Sequence, residues 1–549
     1  MTKQEKEVLK KKKAEEDAKF GIAIVDGRKE KVGNYRVEPP GLFRGRGAHP
    51  KTGKLKRRLR PEDITLNLSE DAPVPPPPPG HRWGDIVHDN TVTWLATWKE
   101  NINNQVKYVF LAANSSFKGQ SDFKKFEKAR ELKDKIEDIR KQYQIEWKDN
   151  LMATRQRATA LYLIDRLALR AGHEKGEDEA DTVGCCSLRL EHMQLIPPRT
   201  VQFDFLGKDS IRYVNEVQVE PQVYKNLAIF MKPPKDPSDL VFDRLRTSDL
   251  NKHLNGLLPG LTAKVFRTYN ASITMQQQLD KLTMDGMSVP EKVLAYNRAN
   301  RDVAILCNHQ RSIPKSHETT MGKMEDKIRA LRYQRRAIRR QWLDLVSEKE
   351  KKKLKESWGD DWDQVHEDPE RNEEWCLKHE EHLVIQEKEK ADKKLRKMME
   401  KLREEYRAER NDAPKDDDVL DEILKKTEDY KTAIESYESA MKKAEELDKA
   451  IKSQRTKGKC LEVVSAATEE KCTKAVDRIN DRIAAMEAQA TVREENKTTA
   501  LGTSKLNYID PRITAAWCTK HKVPLEKMFA KTLREKFKWA MEVGEDWKF

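Results

Sequence analysis

The sequence predicts an α+β protein, mainly helical, and three observations carry that reading. Its 549 residues exceed what one hydrophobic core organises, so the chain should divide into three or four parts. Strand signals and turns fill the first hundred or so residues, whereas helical periodicity with one strong hairpin fills the next two hundred. A third stretch, rich in Lys, Glu, Asp, Arg, Ala and Leu, keeps apolar residues three and four positions apart.

In order, residues 1–19 read as a charged helical stub. Gly21 to Val25 and Val92 to Trp98 read as strands, Phe43 to Gly47 (FRGRG) as a turn, and Pro75 to Pro79 as an extended polyproline connector. Residues 1–115 thus form a small mixed α/β region. Residues 116–312 are mainly helical, except where Val201, Phe203 and Phe205 alternate, LGKD turns, and Ile211, Tyr213, Val217 and Val219 continue the hairpin. Across 313–497, Leu395, Met398, Met399, Leu402 and Tyr406 keep helical spacing, as do Tyr430, Ile434, Tyr437, Met441, Ala444, Leu447 and Ile451. Breaks at Asn411 to Asp418 and near Gly458 predict long helices folded back as an antiparallel coiled coil. Residues 498–549 form a final helical module with Leu525, Met528, Phe529 and Leu533 on one face.

Charge and composition exclude several function classes. No apolar run approaches the roughly 20 residues of a membrane span, no apolar core follows Lys10 to Lys13 as a signal peptide would require, and mean hydropathy is −0.88, all of which predicts a soluble intracellular protein. The seven cysteines (Cys185, Cys186, Cys307, Cys376, Cys460, Cys472 and Cys518) contain no CxxC pair, which argues for reduced thiols over disulfides or zinc. The net charge of +14 is uneven: residues 1–312 hold 54 Lys and Arg against 42 Asp and Glu, residues 313–497 hold 43 against 45, and residues 498–549 hold 10 against 6. The positive surplus, the footprint of a polyanion partner, therefore lies on the first and last segments.

Those two segments carry five residues of interest. Arg170 is read as ending an amphipathic helix with Leu161, Ile164 and Leu167 on its stripe and Ala171-Gly172 as its C-cap. Lys208 sits at the hairpin tip, where Gly207 permits the tight turn. Arg267 follows Lys264 on one helical face, and His309 ends a helix running from Pro290 to Leu306. Tyr508 lies between Asn507 and a helix-starting Asp510-Pro511. Taken singly, each has an ordinary structural reading: a helix-end cation, a turn lysine, a cap histidine, a packing tyrosine.

Longer motifs give the five a common meaning. PPGLFRGRGAHP (39–50), LALRAG (167–172), ADTVGCCSLR (180–189), FDFLGKDSIRY (203–213), LTAKVFRTYNASIT (261–274), YNRANRDVAILCNHQR (296–311) and REENKTTALGTSKLNYIDPRI (493–513) resemble, in order, the motifs of the eukaryotic type IB DNA topoisomerases. The resemblance covers nearly everything outside the coiled coil. It implies a tyrosine-recombinase-like catalytic core at 116–312, a partial cap lobe of a DNA clamp at 1–115, a coiled-coil linker with an insertion at 313–497, and a C-terminal domain at 498–549 carrying the nucleophile.

The resemblance further implies a catalytic set of Arg170, Lys208, Arg267, His309 and Tyr508. In-line displacement at a phosphodiester develops charge on the nonbridging oxygens, which two guanidiniums and a histidine N–H can stabilise. Tyr508 would attack phosphorus to leave a 3′-phosphotyrosyl intermediate, with Lys208 protonating the departing 5′-hydroxyl. Arg44, Arg46, Lys118, Asp209, Lys264 and Asn507 are the implied DNA contacts, with Arg46, Asp209 and Asn507 lining the pocket of camptothecin-class drugs. Double-stranded DNA is the implied partner, without a membrane, and the protein is expected to be a monomer in the nucleus rather than the mitochondrion. The Lys56 to Arg60 run serves DNA binding as readily as import.

No cofactor is expected, neither ATP nor a metal, with divalent ions stimulating at most. Ala48 to Leu55 lacks the first glycine and the Ser/Thr of a phosphate-binding loop, and the HEEH at His379 to His382 lacks HExxH spacing. Two departures from the family pattern are visible. The family's long basic N-terminal tail and complete cap are expected to be partly missing, and the 313–497 segment carries an insertion around Trp358 to Asp418. The alternatives are a tyrosine recombinase, disfavoured by Lys264 where those enzymes place a histidine, and a catalytically impaired DNA-binding fragment.

Overall fold

The computed structural model describes residues 3–173, 175–176, 178–359, 373–409, 414, 416–456 and 467–549. Most of the Trp358 to Asp418 insertion up to residue 372, the residues around Pro414 and the Gly458 region therefore lie outside the described residues. The chain is mostly helical with small sheets. Its contacts divide it into one unit of Met1–Ile313 with Glu495–Phe549, and another of Pro314–Glu494.

In the first unit, a helix Lys3–Phe20 leads into an antiparallel hairpin of Ile22–Val25 and Arg28–Lys31, turned through Asp26 and Gly27 at positive φ. A four-stranded sheet follows in the order Asp85–Val87, Thr65–Asn67, Trp94–Lys99, Val106–Phe110, its first pair parallel and the rest antiparallel. The proline run bridges the parallel pair, as an extended connector can. FRGRG lies in a separate loop off the short pair Gly41–Leu42 and Leu55–Lys56, with Gly45 and Gly47 both at positive φ.

The 31-residue helix Ser116–Glu146 starts where Ser115 Oγ accepts the Lys118 N–H at 3.3 Å and Glu30 accepts the Ser116 N–H at 3.2 Å. It packs on the helices Met152–Leu167 and Ala263–Leu282 around a shared apolar core. The predicted hairpin is present as Thr200–Leu206 against Arg212–Gln218, and Val201, Phe203 and Phe205 point inward as their alternation required. Burying each such phenylalanine stabilises by roughly 1.5–3 kcal/mol. A third strand, Met193–Ile196, extends this sheet and was not anticipated.

Three local expectations are corrected. The Met152–Leu167 helix stops at Ala168, which takes the left-handed conformation (φ 49°), so Arg170 lies in a non-helical segment beyond the helix and Gly172 is not its cap. Gly172 instead meets Gly184, whose Cα would lie 2.6 Å from an added Cβ, while Cys185 and Cys186 N–H groups take the Arg170 and Ala171 carbonyls at 2.8 and 2.7 Å. At the hairpin tip Gly207 is extended (φ −90°), and Asp209 and Ser210 carry the positive φ values. In the C-terminal module the predicted apolar face is split, with Leu525 and Met528 on one short helix, Leu525–Met528, and Leu533 on another, Lys531–Lys536.

In the second unit two pairs of described helices run antiparallel. His317–Leu343 packs Ile328, Leu331, Ile338 and Trp342 against Cys472, Val476, Ile479 and Ile483 of Glu469–Glu495. Arg332 bonds Glu487 and Arg335 bonds Asn480, so one sequence rises as the other falls. Glu373–Glu409 and Glu428–Thr456 pair the same way, with Asp392 accepting from Tyr437 at 2.8 Å and Lys394 donating to Ser436 at 2.9 Å.

Candidate active site

Four of the five singled-out residues, Arg170, Lys208, Arg267 and His309, line one cavity of about 150 Å³ in the first unit. Each arrives on a different element, and local sequence explains each approach. Arg170 comes from the non-helical segment past Ala168, pinned by the Cys185 and Cys186 hydrogen bonds. Lys208 comes from the hairpin tip. Arg267 comes from one turn inside the Ala263–Leu282 helix, where it is buried while Lys264 is exposed.

His309 is set by the end of the helix Val289–Leu306. Asn308 takes a left-handed conformation (φ 51°), and the His309 N–H reaches back to the Ala304 carbonyl at 2.8 Å in a Schellman closure. The buried Arg267 guanidinium donates to the Ala168 and Cys307 carbonyls, tying together the two segments that present Arg170 and His309. Its Nε has no protein partner among the described residues, leaving donor capacity for an anion.

Tyr508 closes the site as the C-cap residue of the helix Leu501–Asn507. Its ring stacks on His309 (centroids 5.3 Å apart, 30° between planes), and the Arg267 guanidinium lies 5.1 Å from the same ring centroid. Ser272, on the Arg267 helix, donates to the Tyr508 carbonyl at 3.2 Å and accepts the Asp510 N–H at 3.0 Å. The tyrosine segment is thereby fastened to the helix that carries the arginine.

Electrostatics follow from burial and the two arginines. Burial, then Arg267, lowers the pKa of Arg170 from the ordinary guanidinium value, while the nearby Tyr508 phenol opposes them. Burial, with Arg267 and Arg170, pushes His309 down to about 3, so its imidazole is neutral at physiological pH. Its Nδ1 lies 2.7 Å from Ser504 Oγ, and its Nε2 is buried with no partner among the described residues. Burial also raises the neighbouring Cys307 thiol, against the pull of both arginines, so no thiolate competes there.

The other singled-out residues frame this centre. Arg46 pairs with Asp209 at 2.6 Å, and Gly47 lies so close to Ser210 that a Cβ would sit 2.3 Å from its hydroxyl, which brings FRGRG onto the Lys208 tip. Asn507 is exposed beside Tyr508, its carbonyl accepting from Lys125 at 3.1 Å. Lys118 pairs with Asp122 at 3.3 Å, and Arg44 is an exposed residue of the FRGRG loop. Sequence reasoning singled out neither Ser272 nor Ser504. The available signal was spacing, Ser504 one helical turn before Tyr508 and Ser272 five residues after Arg267.

Basic donors gathered beside one tyrosine, with Arg267 and His309 buried, are the arrangement that covalent attack on a phosphodiester would use. Family models match along most of the chain: the eukaryotic DNA topoisomerase I DNA-binding fragment over residues 1–111, its catalytic core over 114–342, and the C-terminal topoisomerase domain over 480–549. DNA topoisomerase 1 of Schizosaccharomyces pombe is 53% identical over 531 residues, covering 97% of this chain and 61% of that protein. Those of Candidozyma auris and Homo sapiens are 50% and 46% identical over the whole chain, which covers 69% and 58% of them. The chain belongs to the eukaryotic DNA topoisomerase I family. It spans about three fifths to two thirds of the length of these relatives.

Proposed function

We propose that this chain is an ATP-independent type IB DNA topoisomerase that relaxes supercoiled duplex DNA by nicking one strand, allowing controlled rotation and resealing. The observation that carries the proposal is the packing of Tyr508 against His309 and Arg267, with Arg170 and Lys208 lining the same cavity as those two.

The Tyr508 oxygen attacks phosphorus, forming the Tyr–O–P bond as the P–O5′ bond breaks, and its own proton passes to solvent. Arg170 and the free N–H groups of Arg267 hold the developing charge on the nonbridging oxygens, and His309 donates through Nε2. Lys208, on its short turn, delivers a proton to the leaving 5′-oxygen. The 3′-phosphotyrosyl bond conserves the phosphodiester energy, so resealing is the same step reversed and consumes no nucleotide.

In this reading residues 1–115 form a cap lobe, 116–312 a recombinase-like core, 313–497 a coiled-coil linker and 498–549 the tyrosine module. The antiparallel helix pairs of the second unit support the linker assignment. Arg44, Arg46, Lys118, Lys264 and Asn507 contact DNA, and Arg46, Asp209 and Asn507 border the site where a camptothecin-class inhibitor stacks, a role supported by the exposed Arg46–Asp209 pair. The protein acts as a monomer in the nucleus. Supercoiled plasmid incubated without ATP or Mg²⁺ should be relaxed by the intact chain and left supercoiled by Tyr508→Phe. Relaxation by neither would sink the reading, and relaxation by both would move the nucleophile elsewhere.

A further inference from the structure

His309 is neutral, and a neutral imidazole carries one proton on one of two nitrogens. Which nitrogen holds it decides whether the ring offers a donor or an acceptor to whatever enters the cavity. The two nitrogens have unlike surroundings: Nδ1 faces Ser504 Oγ at 2.7 Å, whereas Nε2 is buried with no partner among the described residues and belongs to a side chain that lines the cavity.

Ser504 is fully buried, on the short helix that ends at Tyr508. Among the described residues its hydroxyl has no other hydrogen-bond partner. A buried hydroxyl proton without an acceptor is costly, and Nδ1 accepts it only when Nδ1 is itself unprotonated. The opposite tautomer would donate to Oγ and leave the hydroxyl proton unplaced.

We infer that Ser504 is a positioning residue that fixes His309 as the Nε2–H tautomer, so that the ring presents a hydrogen-bond donor to a nonbridging oxygen of a bound phosphodiester. The Ser504 hydroxyl, by occupying Nδ1 and leaving the proton on Nε2, thereby excludes a general-base role for His309. The inference rests on the strand-breaking reading above. It also couples the two halves of the site, because the serine that sets the tautomer lies one turn before the nucleophile on the same helix.

Two measurements test it. In protein labelled with nitrogen-15 at histidine, the His309 signals are those absent from His309→Gln. The expected pattern at neutral pH has the proton on Nε2; a proton on Nδ1, or on both nitrogens, overturns the inference without any need for a Ser504 variant to fold. The second is single-turnover cleavage of a duplex whose released 5′-hydroxyl fragment dissociates. Ser504→Ala should slow cleavage about three- to tenfold, the equivalent of one lost hydrogen bond. In a His309→Gln background, whose amide donor has no tautomer, the same substitution should change the rate by less than about twofold. Equal losses in both backgrounds, or none in the first, overturn it. Failure of the unsubstituted chain to cleave overturns the strand-breaking reading instead, while the nitrogen spectrum still decides the tautomer.

Discussion

At the scale of single residues, the site is built from groups whose ordinary behaviour has been altered by their neighbours. His309 shows this most directly, because burial and the paired charges of Arg170 and Arg267 push it down to about 3. An unfolded histidine titrates near 6.5, so between those values the unfolded chain binds a proton that the native chain does not. Stability is therefore complete above about pH 6.5 and is lost as pH falls, by at most about 1.4 kcal/mol per pH unit for one proton. His309→Gln should lose less melting temperature than the unsubstituted chain between pH 7 and pH 5; an equal loss in both would contradict a neutral His309. Residue types at this scale were legible in the sequence, as FDFLGKDSIRY and SKLNYIDPR delivered Lys208 and Tyr508. The supporting serines were not, because Ser272 and Ser504 matter only through contacts 236 and 195 residues away in sequence.

At the scale of elements, what determines the site is how each segment ends. The alternation of Val201, Phe203 and Phe205 announced the hairpin, since period-two burial is a local property. The end of the Met152–Leu167 helix was not local: Leu169 and Arg170 continue a plausible helix, and it stops because Ala168 turns left-handed and Cys185 and Cys186 claim the next carbonyls. Likewise Gly207 looks like the turn residue, yet the strain falls on Asp209 and Ser210, where Arg46 and Gly47 approach. The tyrosine segment is held by a similar long-range device. Asp510 caps the helix Pro511–Lys520, and its buried carboxylate is matched by Arg512 at 2.8 Å, which also pairs with Glu127 at 2.7 Å and stacks near Phe123, Trp539 and Trp547. Burial raises the Asp510 pKa against the pull of Arg512, so removing the arginine strands an acid in the core. Arg512→Leu should lower unfolding free energy by about 3–5 kcal/mol in chemical denaturation, whereas a change under about 1 kcal/mol would mean the pair is dispensable.

At the scale of the whole molecule, charge and division agree with one another. The positive surplus lies in residues 1–312 and 498–549, and the contact-defined first unit gathers nearly those same residues, Met1–Ile313 and Glu495–Phe549, although the chain between them is 181 residues long. The nearly neutral second unit consists of helices whose half-buried stripes were readable from their spacing, with breaks that fall partly outside the described residues. Composition alone reads as a basic scaffold with a helical arm; the convergence of Arg170, Lys208, Arg267 and His309 beside Tyr508 turns that scaffold into a candidate strand-breaking and rejoining enzyme. The most direct test is chemical. A duplex substrate that traps the cleaved state, followed by denaturation, proteolysis and mass spectrometry, should yield one adduct in which Tyr508 bears the 3′-phosphate of the cut strand. An adduct on another residue, a 5′-linked adduct, or none from active protein would contradict the account.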